Sequence, residues 1–336
     1  MSTNIQFQLE RQSWPIAGQF RISRGSKTSA EVLVVSLRDD GGCIGRGECV
    51  PYARYGESLN SVSAQIEGLR SAIVAGMSRA ELQSALPTGA ARNAIDCAMW
   101  DLQSQHTGQP VWQLAALPGP TVLTTAFTLS LDQPNKMAEA AKAARQQPLL
   151  KLKLAGDGSD QERVLAITQV RPDARLILDG NEGFSFADLQ TFLVQIAGLN
   201  IVAIEQPLPA DEDEALAGFD APFPLCADES LHSRAQLPQM AARYDMINIK
   251  LDKTGGLTEA LALLAEAKAL DFQIMAGCMV ATSLSMAPAL LIAAQADLVD
   301  LDGPLLLQRD RADGLRYQQA NIPVQEMSVW GTPRTR

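Results

Sequence analysis

The chain reads RLILDGNEGF at 175–184, NIVAIEQPLP at 200–209 and FPLCADES at 223–230. The apolar run in each stretch ends in a carboxylate, which is Asp179, Glu205 and Asp228 in turn. Short runs of Ile, Leu and Val are typical of strands that are buried on both faces. Segments with helical spacing, such as FADLQTFLVQIAGL, separate the runs. This alternation predicts parallel βαβ units.

The same alternation continues along the chain and predicts an α/β fold. We expect strands near 122–128, 149–154, 175–179, 201–205, 224–228, 245–250, 273–277 and 298–301, with helices between all of them. Eight strands of this kind predict a modified (β/α)8-type barrel, (β/α)7β, in residues 118–310. The C-terminal ends of successive barrel strands share one rim, so the three acids should cluster there. Such a cluster needs a cation, and Mg²⁺ suits oxygen ligands best.

The flanking segments predict a second unit. Residues 5–50 carry two alternating runs and the glycine-rich turn GGCIGRGECVP, which predict an antiparallel meander. Residues 60–116 are helical in period, so residues 1–117 form an α+β domain in this prediction, with Pro118-Gly-Pro120 as the boundary. The tail, 311–336, alternates like a strand and is expected to return to the N-terminal domain.

Composition limits the class of function. The chain has 336 residues and a net charge of −10, without a basic patch, so we expect no nucleic acid partner. No apolar run approaches the ~20 residues that a membrane span needs. Five scattered cysteines predict free thiols in a reducing cytoplasm. The oligomeric state is left open, a homo-oligomer included.

Lysines mark the second and sixth strands. Lys151 and Lys153 in LLKLKLAG are two residues apart, so both side chains face the same way on a strand. Lys250 ends the sixth strand, in MINIKLDKTGG. Strands two and six oppose each other in a ring of eight, so Lys153 and Lys250 should face each other across the mouth. Lys253 is a rival for the role of Lys250, which we set aside because it follows the strand.

Two lysines on opposite sides of a cation suit one reaction type. One amine removes a proton from the carbon next to a carboxylate, giving an enediolate, and the other returns a proton from the opposite face. A lysine must be neutral to act as a base, so we expect its pKa to be lowered by the cation and by a neighbouring ammonium. Proton transfer by the lysines and stabilisation of the enediolate charge together would account for the rate enhancement.

The motifs KLK, LDGN, IEQPLP, ADES and NIKLDKTGG, in this order, resemble the enolase superfamily, muconate-lactonizing subgroup. The resemblance covers essentially the whole chain. It implies a Mg²⁺-dependent barrel whose N-terminal capping domain is completed by the C-terminal tail. Within the subgroup, PYARYGES, GAARNAIDCAMWDL, GCMVATS and the pair Asp300-Leu-Asp302 are most similar to bacterial dipeptide epimerases acting on L-Ala-D/L-Glu. A small dipeptide substrate and a role in recycling cell-wall peptides follow from the resemblance.

The resemblance also implies roles for particular residues. It makes Asp179, Glu205 and Asp228 the Mg²⁺ ligands, with Asn181 and Glu229 beside them. Lys153 and Lys250 would be the acid/base pair. The substrate would be bound by Lys151 at its carboxylate, by Asp300 and Asp302 at its α-ammonium, by Arg24 at a glutamate side chain, and by Thr128. Arg54 is the alternative to Arg24 for the side-chain contact.

Three other hypotheses stay open. An o-succinylbenzoate synthase or N-acylamino acid racemase of the same superfamily would act on substrates that lack a free ammonium. A Schiff-base lyase on the same barrel would use Lys250. A non-catalytic binding protein would tolerate the loss of Lys153.

Overall fold

The structure, a computed structural model, describes residues 5–119 and 121–333. The first part of the chain forms a three-stranded antiparallel sheet, as the meander pattern predicts. Its strands are β1 (Gln6–Ile22), β2 (Gly25–Arg38) and β3 (Ile44–Cys49). Alternation along β2 sends Leu33 and Val35 toward the helices of this domain, and Val32 and Val34 toward the barrel. The sheet is therefore apolar on both faces at its centre.

Helices cover the outer face of this sheet. They are α1 (Leu59–Gly68), α2 (Arg70–Val74), α3 (Arg79–Ala85) and α4 (Ala90–Thr107), and the short α5 (Val111–Leu114) follows and packs toward the barrel. The glycines of the GGCIGRGECVP turn have a packing role in β3. A Cβ at Gly45 would lie 2.2 Å from the carbonyl oxygen of Ala98, and one at Gly47 would lie 2.1 Å from that of Ala94. Glycine at these positions lets α4 pack directly on the backbone of β3. We call this α+β unit the cap.

Eight parallel strands follow, and each is hydrogen-bonded to the next in chain order. They are β5 (Phe127–Leu129), β6 (Leu149–Lys153), β7 (Arg175–Asp179), β8 (Ile201–Glu205), β9 (Leu225–Ala227), β10 (Met246–Ile249), β11 (Gln273–Gly277) and β12 (Leu298–Asp300), after a separate short strand β4 (Val122–Thr124). A backbone hydrogen bond from Ala126 to the carbonyl of Val299 joins the first strand to the last. The predicted barrel is confirmed.

One buried residue from each of the strands β6–β12, and Ala126 just before β5, fill the inside of the barrel below its mouth. These residues are Ala126, Leu149, Ile177, Ala203, Cys226, Met246, Met275 and Leu298. The connecting helices on the outside are α6 (Pro134–Ala143), α7 (Asp160–Val170), α8 (Phe186–Gln195), α9 (Leu237–Met240), α10 (Leu251–Thr254), α11 (Leu257–Ala269) and α12 (Ser283–Ala293). None of the described helices is long and apolar enough to cross a membrane. All five cysteines are free thiols.

Two details of the predicted barrel are wrong. The segment 206–224 between β8 and β9 contains a 3-10 turn, Asp213–Leu216, instead of an α-helix. This segment carries four prolines, which lack the amide hydrogen and disfavour helix in the residue before them. The predicted first strand, 122–128, is divided, because Thr125 bonds out of register: its amide donates to Ala320, and its hydroxyl accepts from Leu301.

The tail contains one short strand. Its strand, β13, covers only Asn321–Pro323 and pairs antiparallel with β4, not with a cap strand. The tail contacts the cap on both sides of this strand: Arg311 Nη2 donates to Gln12 Oε1 at 2.8 Å, and Trp330 Nε1 donates to the carbonyl of Cys97 at 3.0 Å. The domain limits 1–117, 118–310 and 311–336 stay a prediction. Residues 1–4, Pro120 and 334–336, which fall within those limits, lie outside the described residues.

Buried polar side chains join the cap to the barrel. Asp252, on α10, accepts hydrogen bonds from the amide of Val50 at 3.0 Å and from Asn93 Nδ2 at 2.8 Å, both in the cap. Burial raises the pKa of Asp252 to about 7, although these two bonds lower it. On the other side, Glu48 of β3 accepts from the amide of Thr282 at 2.9 Å. These contacts fix the cap over the mouth of the barrel.

Candidate active site

Alternation along the barrel strands places the predicted residues on the inner face. In β6, Leu149 lies inside the barrel, so Lys151 and Lys153, two and four residues further on, face inward as well. The same two-residue step leads from Ile177 to Asp179, from Ala203 to Glu205, from Cys226 to Asp228, and from Leu298 to Asp300. All these charged side chains are buried. The barrel therefore has an apolar layer below and a charged layer at its mouth.

The charged layer forms the floor of a cavity of about 820 Å³ between the barrel and the cap. The β1–β2 hairpin of the cap forms one wall, with Phe20 and Arg24. The segment around Tyr52 forms another wall. Nearly all polar groups on the floor come from strand ends, and the groups on the walls come from cap loops.

The amine of Lys151 lies at the centre of the acids. Its Nζ is 2.6 Å from Glu205 Oε2, 2.7 Å from Asp300 Oδ2 and 3.2 Å from Asp179 Oδ2. Lys153 Nζ lies 2.5 Å from Asp179 Oδ2. The two lysines of the KLK motif thus share one carboxylate, as their common strand face predicts.

Lys250 approaches the acids from the other side of the ring. It follows β10, four strands away from β6, and its Nζ lies 2.5 Å from Asp228 Oδ2 and 3.9 Å from Glu205 Oε1. Lys153 and Lys250 therefore contact acids at the two ends of the Asp179–Glu205–Asp228 series. This is the arrangement that counting strands predicts.

The pKa of Lys250 depends on burial and on the acids around it. Burial lowers its pKa, but the charges of Asp228 and Glu205 outweigh burial and hold the pKa above its usual range. The acids shift as well. Burial alone would raise the pKa of Asp179, but the ammonium groups of Lys153 and Lys151 lower it to about 2. Burial and the charge of Asp179 raise the pKa of Glu205 to about 7.

The donor set suits a hard cation. Within residues 5–119 and 121–333, no three carboxylates converge at metal-binding distances, and an ammonium lies against each of the three acids. Two oxygens of the set, Glu205 Oε2 and Asp228 Oδ1, are nevertheless buried without a well-oriented hydrogen bond. Buried carboxylate oxygens of this kind are what Mg²⁺ prefers as ligands. The residues present therefore fit a divalent cation.

Asp300 and Asp302 lie on the far side of Lys151 from the three acids. Asp300 pairs with Lys151, and its Oδ1 has no hydrogen-bond partner. Asp302 Oδ2 accepts a hydrogen bond of 2.6 Å from the amide of Thr128. Burial and the charge of Asp300 raise the pKa of Asp302 to about 7. The structure thus brings these three predicted residues together beside the cavity.

Arg24 reaches into the cavity from the β1–β2 hairpin but is already paired. Its Nη2 lies 2.5 Å from Glu229 Oε1, and its Nη1 lies 3.0 Å from Glu182 Oε2 and 2.7 Å from the carbonyl of Asn181. Arg54 holds the same Glu182 through two bonds of 2.6 Å. Asn181 and Glu229 are therefore in contact with the cap as well as beside the acids. Glu182 links two cap loops to the barrel.

Sequence reasoning missed three polar residues that support the acids. Lys253, which was set aside, is buried and lies 2.7 Å from Asp228 Oδ1. Asn248 Nδ2 donates to Glu205 Oε1 at 2.8 Å. Gln206 accepts from the amide of Asp228 at 2.9 Å. Asn248 could have been found, because it lies two residues before Lys250 on a buried strand. For Lys253 and Gln206 the sequence carries no comparable signal.

Comparisons with known proteins agree with this site. Residues 136–324 match the family model described as "Enolase C-terminal domain-like", and residues 4–115 match "Mandelate racemase / muconate lactonizing enzyme, N-terminal domain". The chain is 45% identical over 313 residues to the "L-Ala-D/L-Glu epimerase" of Escherichia coli (strain K12), which covers 93% of this chain and 97% of that protein. It is also 45% identical over 302 residues to the "N-acetyl-D-glutamate racemase" of Pseudoalteromonas sp, covering 89% of this chain and 95% of that one.

Solved structures extend the comparison. An enolase family member from Agrobacterium tumefaciens, with homology to dipeptide epimerases and with bound sodium and L-Ala-L-Glu, has a TM-score of 0.93. It is 46% identical and covers 97% of this chain and 100% of its own. A dipeptide epimerase from Enterococcus faecalis, complexed with Mg and L-Leu-L-Tyr, has a TM-score of 0.90 at 28% identity, with 98% and 99% covered. The resemblance drawn from the motifs is confirmed, and the chain belongs to the mandelate racemase/muconate lactonizing enzyme family of the enolase superfamily.

Proposed function

We propose that the protein is a Mg²⁺-dependent epimerase that interconverts L-Ala-D-Glu and L-Ala-L-Glu. The observation that carries this proposal is the placement of Lys153 and Lys250 at opposite ends of one series of buried acids. A relative of 45% identity carries this activity in its name. The role in recycling cell-wall peptides, in the cytoplasm, rests on the same proposal.

Different residues of the site have different roles in the proposed reaction. Asp179, Glu205 and Asp228 would hold the cation. When bound, Mg²⁺ supplies positive charge that offsets these acids, lowers the pKa of the nearby lysines and stabilises the charge gained by the substrate carboxylate. Lys151, at the centre of the acids, donates hydrogen bonds to that carboxylate. Burial of this layer keeps water away from the reacting carbon.

Proton transfer takes place at the α-carbon of the second residue. One of Lys153 and Lys250 removes the α-proton from its own side of the carbon, which leaves an enediolate. The other donates a proton from the opposite side, so the centre is inverted. Asp300 and Asp302 would bind the α-ammonium of the dipeptide, and Thr128, bonded to Asp302, keeps that carboxylate in place.

Exchange in D₂O tests the reaction. With L-Ala-D-Glu and Mg²⁺, NMR should show deuterium at the α-carbon of the second residue and appearance of the other epimer. EDTA should stop both processes, and added Mg²⁺ should restore them. Lys153→Ala and Lys250→Ala should each abolish interconversion. Absence of both exchange and interconversion in the wild type would refute the proposal. Activity that survives EDTA, with borohydride trapping of Lys250, would indicate a Schiff-base lyase.

Racemisation of an N-acylated glutamate is the second candidate, favoured by the Pseudoalteromonas relative. Such a substrate has no free ammonium, so it does not need the charge of Asp302. Asparagine at position 302 can still accept the bond from Thr128. We therefore expect Asp302→Asn to lower kcat/KM for the dipeptide about 10- to 100-fold, the effect of losing one charged hydrogen bond. It should spare activity on N-acetylglutamate. Asp300→Asn is a less specific test than Asp302→Asn, because it also removes the carboxylate paired with Lys151.

A further inference from the structure

Gln206 is fully buried next to the acids, one residue after Glu205 at the end of β8. Its side-chain oxygen Oε1 accepts hydrogen bonds from two backbone amides, that of Asp228 at 2.9 Å and that of Ser230 at 3.1 Å. Both amides belong to the segment that follows β9. The side chain of Gln206 therefore joins the end of β8 to the segment that carries Asp228 and Glu229.

The backbone of Gln206 is bonded to the segments on both sides of β8. Its carbonyl accepts a hydrogen bond of 2.9 Å from the amide of Glu182, and its amide donates to the carbonyl of Cys226 at 2.8 Å. Glu182 follows Asp179 by three residues, so the first of these bonds ties the loop after β7 to β8. Gln206 is thus hydrogen-bonded to the chain at all three strand ends that carry the acids.

The backbone conformation of Gln206 is unusual. Its φ angle is +35°, in the left-handed region that residues other than glycine adopt only at a cost. Such a conformation persists where the surrounding contacts require it. The bonds through Oε1 and through the backbone amide and carbonyl supply such contacts, and they depend on the chain turning at this residue.

A buried carboxylate fixes the orientation of the Gln206 amide group. Asp213, in the 3-10 turn between β8 and β9, accepts from the hydroxyls of Ser230 at 2.5 Å and Tyr244 at 2.9 Å, and it pairs with Arg243 Nη1 at 2.7 Å. Because both hydroxyls donate to Asp213, their oxygens accept from Gln206 Nε2, at 2.8 Å and 3.0 Å. Nε2 is therefore held toward the hydroxyls, and Oε1 is held toward the two amides.

We propose that Gln206 is a positioning residue for the cation site, which sets the spacing of Asp179, Glu205 and Asp228 and thereby the affinity for Mg²⁺. The inference rests on the Mg²⁺ site of the proposed function and extends it to a residue that acts through the acids. Carboxylates at close range repel one another, so bonds from the surrounding protein must hold them at the spacing that a cation needs. Gln206 supplies such bonds to the chain at each of the three acids.

Calorimetric titration with Mg²⁺, without substrate, tests this role. Q206N shortens the side chain by one methylene, so its oxygen no longer reaches the two amides, and asparagine tolerates a positive φ better than most residues. Q206M keeps the length and removes the acceptor, so it tests the same bonds should Q206N not fold. Q206E keeps both the length and an acceptor oxygen.

Gln236 offers a matched control. Its Oε1 also accepts from two backbone amides, those of His232 at 2.7 Å and Ser233 at 3.1 Å. Its Nε2 donates to the carbonyl of Ser230 at 3.1 Å. Q236N therefore loosens the neighbouring segment by the same chemical change without removing a bond to Asp228.

The expected result is a loss of Mg²⁺ affinity confined to the variants that lose the acceptor. Q206N and Q206M should raise the Kd for Mg²⁺ about 10- to 100-fold, the usual effect of losing a partner that orients a metal ligand. Q206E and Q236N should bind Mg²⁺ as tightly as the wild type. In α-proton exchange by Q206N, the Mg²⁺ concentration for the half-maximal rate should rise by the same factor, and the rate at saturating Mg²⁺ should stay close to that of the wild type.

Several outcomes would overturn the inference. Unchanged Mg²⁺ affinity in Q206N or Q206M contradicts it, as does an equal loss in Q236N, which would indicate general loosening of the segment. A loss in Q206E as large as in Q206N would show that the acceptor oxygen is not what holds Asp228. A wild type that binds Mg²⁺ but epimerises neither substrate overturns the proposed function alone, because the titrations still decide the role of Gln206. A wild type that binds no Mg²⁺ overturns both.

Discussion

Replacing Asp252 with asparagine should stabilise the protein, and the gain should grow with pH. Asp252 is 4% exposed and accepts two hydrogen bonds from the cap through Oδ1. The amide oxygen of asparagine can accept both. The substitution therefore removes a buried charge and keeps the contacts between cap and barrel.

The magnitude follows from the pKa of Asp252, about 7 in the folded protein against an ordinary value of 3.8. Between these values the folded state keeps a proton that the unfolded state has released. Wild-type stability thus falls as pH rises from about 4 to about 7 and is level above that. Each pH unit in this window costs about 1.4 kcal/mol, so the advantage of the variant should grow by about 2–3 kcal/mol between pH 5 and pH 7.

Thermal unfolding followed by circular dichroism at pH 5, 6, 7, 8 and 9 measures this effect. The difference in Tm between Asp252→Asn and the wild type should widen by several degrees up to pH 7 and then stay constant. Asp211→Asn, at an exposed position, is the control for loss of one negative charge. If the Tm values of Asp252→Asn and the wild type run parallel over the whole range, Asp252 does not carry a buried proton and the argument fails.

Two further substitutions probe contacts around the site. Lys253→Met leaves Asp228 Oδ1 without its ammonium, so we expect a loss of about 3–5 kcal/mol, seen as a lower Tm, and weaker Mg²⁺ binding in calorimetry. An unchanged Tm would show that Lys253 does not support Asp228. Glu182→Gln removes the carboxylate shared by Arg24 and Arg54. Trypsin should therefore cleave these two cap loops faster than in the wild type. Equal cleavage rates would contradict the idea that Glu182 holds the two loops on the barrel.

The parts of the fold predicted from sequence are those that repeat. Strand and helix alternate with a regular period, and the inward direction of Lys151, Lys153 and Asp179 follows from the two-residue step of a strand. Counting strands was enough to place Lys250 on the opposite side of the ring. These features depend on the alternation of residues within a strand and on the ring arrangement of the eight strands.

The missed features depend on contacts between distant segments. Glu182 pairs with Arg54, 128 residues away, and the sequence near either residue does not indicate this contact. Lys253 follows its strand, but the short helix α10 turns its amine back toward Asp228. The alternation of the tail predicted a strand but could not identify β4 as its partner. A sequence pattern indicates which face of a strand or helix a residue lies on. Contacts between distant segments are seen only in the folded structure.

The hairpin that carries Arg24 is anchored close to its tip, where the amide of Leu131 donates to the carbonyl of Arg21. Its tip meets the barrel through side chains, such as Ser23 on the carbonyl of Asn181. The reacting lysines and acids come from other segments. Under the proposed function, exchanging a few residues at the tip should alter which amino acid is accepted and leave the lysines and acids in place. A scaffold divided in this way offers evolution a simple route to new substrates.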